Sequence, residues 1–341
     1  MTDFRSDNTH GASPEVLEAV TRAAAGNDTS YGGDALTARV RERCRELFET
    51  DVQVFPVLTG TAGNALSVAT LTPPWGAVFC HEDAHIHREE MGAPEFYSHG
   101  AKVVPIAGAG GKLRAEAVDD VIGAFVREGR AAKPACVSLT QATEAGNVYS
   151  VDEMRALCEV ARHYQCRVHL DGARFANAVA STGAAPADLT WRAGVDILVF
   201  GGTKNGLLST ELIVVFDASL AEELTMRAHR GGHRLSKMRF LSAQFDAYLT
   251  DDLWLRNARH ANAMALRLAE AVDLVRPVEA NIVFTRFEPQ VARALEEQGF
   301  RFYDWSLFGE GVVRLVTGFR TTEADVDALV KAIEEAGRSA R

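Results

Sequence analysis

The chain has 341 residues, 47% hydrophobic and 24% charged, with a formal net charge of −10. That balance is ordinary for a globular protein and excludes disordered and fibrous classes, while the acidic excess, without any Lys/Arg cluster interleaved with aromatics, argues against a nucleic-acid partner. No apolar run approaches the roughly 20 residues of a membrane helix, and the start, Met1-Thr2-Asp3-Phe4-Arg5-Ser6-Asp7, lacks the basic and apolar regions of an export signal.

A cytoplasmic enzyme or binding protein is therefore expected. The cysteines, Cys44, Cys80, Cys136, Cys158 and Cys166, are scattered and form no C-x-x-C pair, so buried thiols are expected rather than a disulfide framework or a zinc site.

In chain order, strand-like apolar runs fall at 52–57, 77–80, 102–106, 135–139, 167–170, 196–200 and 211–216, with a helix opening near Thr61. Residues 151–164 carry Met154, Leu157, Cys158 and Ala161 at helical spacing. Such alternation predicts an α/β layer around a mostly parallel, buried sheet. Near residue 250 the pattern changes. A long helix is expected over 250–272, with Trp254, Ala258, Ala261, Ala265 and Leu268 on one face. Strand-like 281–287, a helix over 291–298 and strand-like 312–317 follow. A last helix opens with the capping box Thr322-x-x-Asp325 and turns Val326, Leu329, Val330 and Ile333 inward. The expected division is a large ligand-binding domain over 1–249 and a small α+β domain over 250–341.

In open α/β sheets, ligands sit beyond the carboxyl ends of the strands, and polar residues from several segments are expected there. Thr59-Gly60-Thr61 turns a strand into a helix whose exposed N–H groups suit a phosphate, though the same residues also make a plain N-cap. Asp171 ends the strand Arg167-Val168-His169-Leu170; it either pairs with Arg174 as a structural ion pair or faces a heterocyclic nitrogen and keeps it protonated. Lys204 follows the strand over 196–200, with Gly201, Gly202 and Gly206 leaving the backbone around it open for close approach of a ligand. An isolated loop lysine is ordinarily solvated. Yet an anchored phosphate, a carboxylate at one strand end and an amine at the next are the layout of a pyridoxal phosphate site, in which the amine forms a Schiff base with the cofactor.

The stretches FRSDN, SYGGDALTARV, TGTAGN, DAHI, HLDGARFANA and GGTKNG resemble the motifs of the L-threonine aldolases, fold-type I pyridoxal-phosphate enzymes. The resemblance runs from about Asp3 to Arg234, resumes at Arg314, and so covers most of the chain. It implies Lys204 as the Schiff-base lysine, Asp171 at the pyridine nitrogen, and Gly60 and Thr61 at the phosphate. His85 would stack on the ring near the substrate's β-hydroxyl; Ser6, Arg174 and Arg314 would hold the substrate carboxylate. Arg234, in the basic loop over 227–237, and Tyr31 would serve a neighbouring subunit's site in a dimer of dimers. The implied reaction cleaves L-β-hydroxy-α-amino acids, such as threonine, allo-threonine or phenylserine, to glycine and an aldehyde.

Read from the residues alone, several of these positions keep other meanings. The histidines at 81, 85 and 87 could suggest a metal, but lack the helix of an H-E-x-x-H site, and no metal is expected. Arg314, a charge inside the apolar run Val312-Val313-Arg314-Leu315-Val316, demands an anion, either a ligand's carboxylate or a protein acid. The basic loop could simply be solvated. One departure stands out: where many of these aldolases carry a second active-site histidine in a motif like E-N-T-H, this chain reads LTQATEAGN, with Thr143 expected in that place, which shifts the expected role of catalytic base to His85 or a bound water. β-Elimination or transamination remain the alternatives, because orientation rather than cofactor chooses the bond broken.

Overall fold

A computed structural model describes residues 2–129 and 131–339. Its strands, in chain order, are β1 (Thr2–Asp3), β2 (Gln53–Val57), β3 (Gly76–His81), β4 (Lys102–Ile106), β5 (Lys133–Thr140), β6 (Arg167–Gly172), β7 (Ile197–Phe200), β8 (Glu211–Val215), β9 (Ile282–Arg286), β10 (Phe300–Arg301), β11 (Tyr303–Asp304) and β12 (Val312–Val316). The large sheet has seven strands in the order β2-β8-β7-β6-β5-β3-β4. Every pairing from β7 to β4 is parallel, and β8 runs antiparallel to both β2 and β7.

The sheet is covered on both faces, which is why its strands read as apolar runs without alternation. One layer packs Phe48, Phe79, Phe175, Phe200, Phe245 and Trp254. The opposite layer packs Leu66, Val78, Cys80, Ile197 and Ile213, largely beneath the helix Gly60–Leu71. All the cysteines are free and buried.

The smaller unit is an antiparallel sheet, β11-β12-β9, against the helices Leu253–Ala269, Pro289–Glu297 and Glu323–Ser339. Its core joins Leu268, Val283, Leu315 and Leu329 to Phe4, because the N-terminal strand β1 pairs with β10 rather than with the large sheet. The helix expected over 250–272 starts later: Asp251 and Asp252 take positive φ, so a 3-10 turn over Thr250–Asp252 precedes the α-helix. The capping box at Thr322 and Asp325 forms in both directions.

Strand direction positions everything that follows. β2, β3, β5, β6 and β7 all end on the same edge, and antiparallel β8 begins there with Glu211. Asp171 pairs in register with Val199, so the ends of β6 and β7 lie side by side.

Candidate active site

At that edge lies a cavity of about 280 Å³, walled by Gly60, Thr61, His85, Glu144, Asp171 and Lys204 among others. Thr59 caps the helix Gly60–Leu71: its hydroxyl accepts from the Ala62 amide at 3.1 Å, and its carbonyl accepts from Gly63. The amides of Gly60 and Thr61 are left without a protein partner among the described residues, at the positive end of the helix dipole. A Cβ on Gly60 would meet nothing within 4 Å, so an anion has room there.

Asp171 is buried, and the ion pair with Arg174 does not form. Its carboxylate instead accepts from the Ala173 amide (3.0 Å) and from Asn64 Nδ2 (2.8 Å). The same Asn64 nitrogen donates to Glu90 (2.8 Å), and Glu90 meets His85 Nδ1 at 2.9 Å. A continuous polar chain, Asp171–Asn64–Glu90–His85, thus runs along the cavity wall. The Glu90 carboxylate beside His85 pushes the imidazole up from its ordinary value, against the opposing effect of burial. Burial raises Glu90 itself. His81 is engaged elsewhere, with the Asp83 amide and the Gly108 carbonyl, and His85 opens a short helical turn, His85–Arg88.

Lys204 sits in the 3-10 turn Thr203–Asn205 after β7, and its side chain lines the cavity. The glycines around it serve a different purpose from the expected one. A Cβ on Gly201 would collide with the backbone of Ala173, and one on Gly202 with Leu207 and the Thr210 carbonyl. Gly201 lets the β7 exit cross tightly against the β6 exit, and Gly202 lets it turn against the approach to β8, which together fix the backbone that carries Lys204. Close approach of protein backbone, not of ligand, requires them.

Arg174 faces Asp7. Nε and Nη2 donate to the two carboxylate oxygens at 2.8 and 2.9 Å, and Asn281 adds a third hydrogen bond at 3.0 Å. Both charges are buried. Burial works against the Asp7 carboxylate, but Arg174 and Lys204 outweigh it and hold the group below its usual range. Arg314 is different: its guanidinium lies 4.3 Å over the Trp305 ring, one nitrogen reaches the Arg5 carbonyl at 3.3 Å, and its buried Nε has no partner. Burial lowers it from the ordinary arginine value. It has no protein acid as partner among the described residues and so is suited to a ligand's anion. Ser6 caps the turn Asp7–Thr9 through the Asn8 amide. Neither Ser6, Arg174 nor Arg314 forms part of the cavity wall.

Tyr31 and Arg234 come together away from this cavity. The guanidinium reaches the Tyr31 carbonyl at 3.4 Å and lies 5.8 Å over its ring. Both are exposed, beside a separate hollow along the edge strand β2.

The stretch after β5 departs from expectation. Thr143 does not face the site; it is buried, with its hydroxyl donating to the Gly110 carbonyl at 2.9 Å. Glu144 takes the place on the cavity wall. Asp7, Asn64, Glu90, Glu144 and Glu211 were not singled out by the sequence reading. Asp7, Asn64 and Glu144 stand within the stretches FRSDN, TGTAGN and LTQATEAGN, and a carboxylate following a strand is the signal that would have found Glu144.

The residues 3–293 match the model of the beta-eliminating lyase family. The low specificity L-threonine aldolase of Pseudomonas sp. (strain NCIMB 10558) is 42% identical over 340 residues, covering 96% of this chain and 97% of that protein. Its counterpart from Pseudomonas aeruginosa is 43% identical, covering 98% of each. The solved threonine aldolase of Leishmania major superposes with a TM-score of 0.92 at 26% identity, over 98% of this chain and 99% of that one. With a mostly parallel sheet flanked by helices and matches of this extent, the chain belongs to the beta-eliminating lyase family.

Proposed function

We propose that this protein is a pyridoxal-phosphate-dependent aldolase that cleaves L-threonine, L-allo-threonine or related L-β-hydroxy-α-amino acids to glycine and an aldehyde. The observation that carries the reading is the convergence of Lys204, Asp171 and the open amides of Gly60 and Thr61 on one cavity. The donor set fits the cofactor: an amine for covalent attachment, a buried carboxylate for the pyridine nitrogen and a helix N-terminus for the phosphate. Bound there, pyridoxal phosphate supplies an electron sink for a bond broken at the substrate's α-carbon.

The chain's own residues do the rest. Asp171, held by Ala173 and Asn64, keeps a proton on the ring nitrogen. His85, on the cavity wall with its orientation set by Glu90, would lie against the ring. Arg314, with its unpartnered Nε, grips the substrate carboxylate, assisted by Ser6 and by Arg174 behind it.

The reading extends to a cytoplasmic homo-oligomer, a dimer of dimers, in which Tyr31 and Arg234 complete a neighbour's site. Arg234 has no acid partner among the described residues, and Leu58, Leu208 and Tyr31 are 42–49% exposed. Among the described residues no helix is long and apolar enough to cross a membrane. We also divide the chain near residue 250, with the N-terminal strand carried by the smaller unit.

The test is incubation with L-threonine. Equal amounts of acetaldehyde and glycine are expected; a keto acid released with ammonia would assign β-elimination instead, and a keto acid without ammonia would assign transamination.

A further inference from the structure

The acids at the cavity are not equivalent. Asp171 accepts from Ala173 and Asn64, Glu90 from Asn64 and His85, and Glu211 from the Gly202 amide at 2.6 Å. Glu144 lines the same cavity, half-buried, and has no hydrogen bond or ion pair among the described residues. Its loop is nevertheless fixed. The Gln141 amide donates to the Asp171 carbonyl (2.8 Å), the Gln141 side chain exchanges two hydrogen bonds with Tyr149, and Thr143 is pinned to Gly110 and Asn147. The half-buried Glu144 carboxylate opens on the cavity rather than on a protein donor, a placement that a purely structural role does not require. Held rigidly at a cavity wall, it is placed for work on a ligand.

We propose that Glu144 is the base that takes the proton from the substrate's β-hydroxyl, a catalytic role that rests on the aldolase reading above. The step balances within the substrate and this residue. The hydroxyl O–H bond breaks and its proton passes to a Glu144 oxygen; the freed pair forms the aldehyde C=O; the Cα–Cβ pair stays on the α-carbon, which is later protonated to give glycine. His85, on the same wall, suits donation instead. Its Nδ1 meets Glu90 at 2.9 Å and its Nε2 lies 3.6 Å from Glu89, so carboxylates on both sides favour the protonated ring.

The groups facing Glu144 are Lys204 after β7, Asp171 at the end of β6, Arg174 and His85, with Arg314 reaching it from β12. Burial raises the carboxyl above its ordinary value, Asp171 adds to this, and the cations only partly offset it. A carboxylate raised in this way is a stronger proton acceptor at neutral pH. The acid limb of kcat/KM then reports loss of the Glu144 carboxylate.

The test compares the cofactor-loaded wild type with Glu144→Gln and Glu144→Asp. It follows aldehyde release from L-threonine across pH, glycine binding by the change in visible spectrum, and exchange of the glycine α-hydrogen in deuterated water. Glycine carries no β-hydroxyl and does not need this base. In Glu144→Gln, cleavage is expected to fall about 10²–10⁴-fold, the acid limb to vanish from what remains, and glycine binding and exchange to stay within about threefold of wild type. Glu144→Asp, which keeps the carboxylate, should recover part of the cleavage. A Gln variant that cleaves like wild type overturns the proposal, and so does one that loses glycine binding and exchange as severely as cleavage. A wild type that binds glycine but cleaves no β-hydroxy amino acid overturns the aldolase reading itself, and the two failures are distinguishable.

Discussion

Arg174 and Asp7 exchange two hydrogen bonds where both are shielded from water, and such a pair is costly to break from one side only. Asp7→Asn leaves the guanidinium charge uncompensated. A loss of about 3–5 kcal/mol is expected from denaturant unfolding, and an unchanged midpoint would mean that the substrate side, not Asp7, satisfies Arg174. Lys204→Ala removes the cavity's amine, and with it one of the cations beside Asp7, but leaves both hydrogen bonds of this pair in place. It should fold normally and bind cofactor only reversibly, so that borohydride followed by denaturation leaves no chromophore on the chain; a retained chromophore would show that another amine is used. Lys204 and Asp171 were legible in the sequence because each stands at or just beyond the end of an apolar strand, and strand ends are where such sheets bind ligands. Asp7 was not, because its partner Arg174 lies 167 residues away, and Asn64 joins Glu90 and Asp171 across 26 and 107 residues. No local pattern encodes contacts of that kind.

At the scale of elements, β6 carries, besides Arg167 at its start, two titratable groups with opposite surroundings. Asp171 at its end is hydrogen-bonded, whereas His169 in its interior is fully buried, touching Ser138 through Nδ1 at 2.9 Å and leaving Nε2 without a partner. Burial pushes this imidazole down to about 4, only slightly opposed by Asp171. The folded state therefore holds His169 neutral, while the unfolded chain takes up a proton near its ordinary value of about 6.5. The stability carried by the neutral form is complete above that pH and is lost as pH falls from about 6.5 to about 4, amounting to about 3 kcal/mol. Urea midpoints across this window should decline in the wild type and decline less in His169→Asn; parallel curves would show that His169 takes no part. The strands themselves were readable because burial on both faces makes them apolar throughout. The glycines beside Lys204 were readable as a necessity but not in their cause, since the crossing of two strand exits against each other is a tertiary fact. The break at Asp251 and Asp252 was likewise hidden: helical spacing continues through it, and only the backbone's positive φ marks the later start.

At the scale of the whole molecule, the positions of Tyr31 and Arg234 decide the argument. Both were expected to serve a site, yet they meet each other outside the cavity of their own chain, along the edge strand β2. An exposed guanidinium with only a carbonyl and a ring for partners is free to meet an anion from outside. A two-fold axis beside β2 would offer each such loop the phosphate site of the other copy, since an isologous contact presents both halves symmetrically. Arg234→Ala should then weaken cofactor retention in the neighbouring subunit's cavity, while Lys204→Ala disables its own. When the two inactive variants are mixed and allowed to exchange subunits, some hybrids combine one intact Lys204 with one intact Arg234 at the same cavity. In a random mixture about half of the dimers are hybrids, and each hybrid has one intact site of two, so recovery of roughly one quarter of wild-type activity is expected. Failure to recover any activity despite demonstrated exchange, or full activity in a dilute monomer, would place Arg234 outside the reaction.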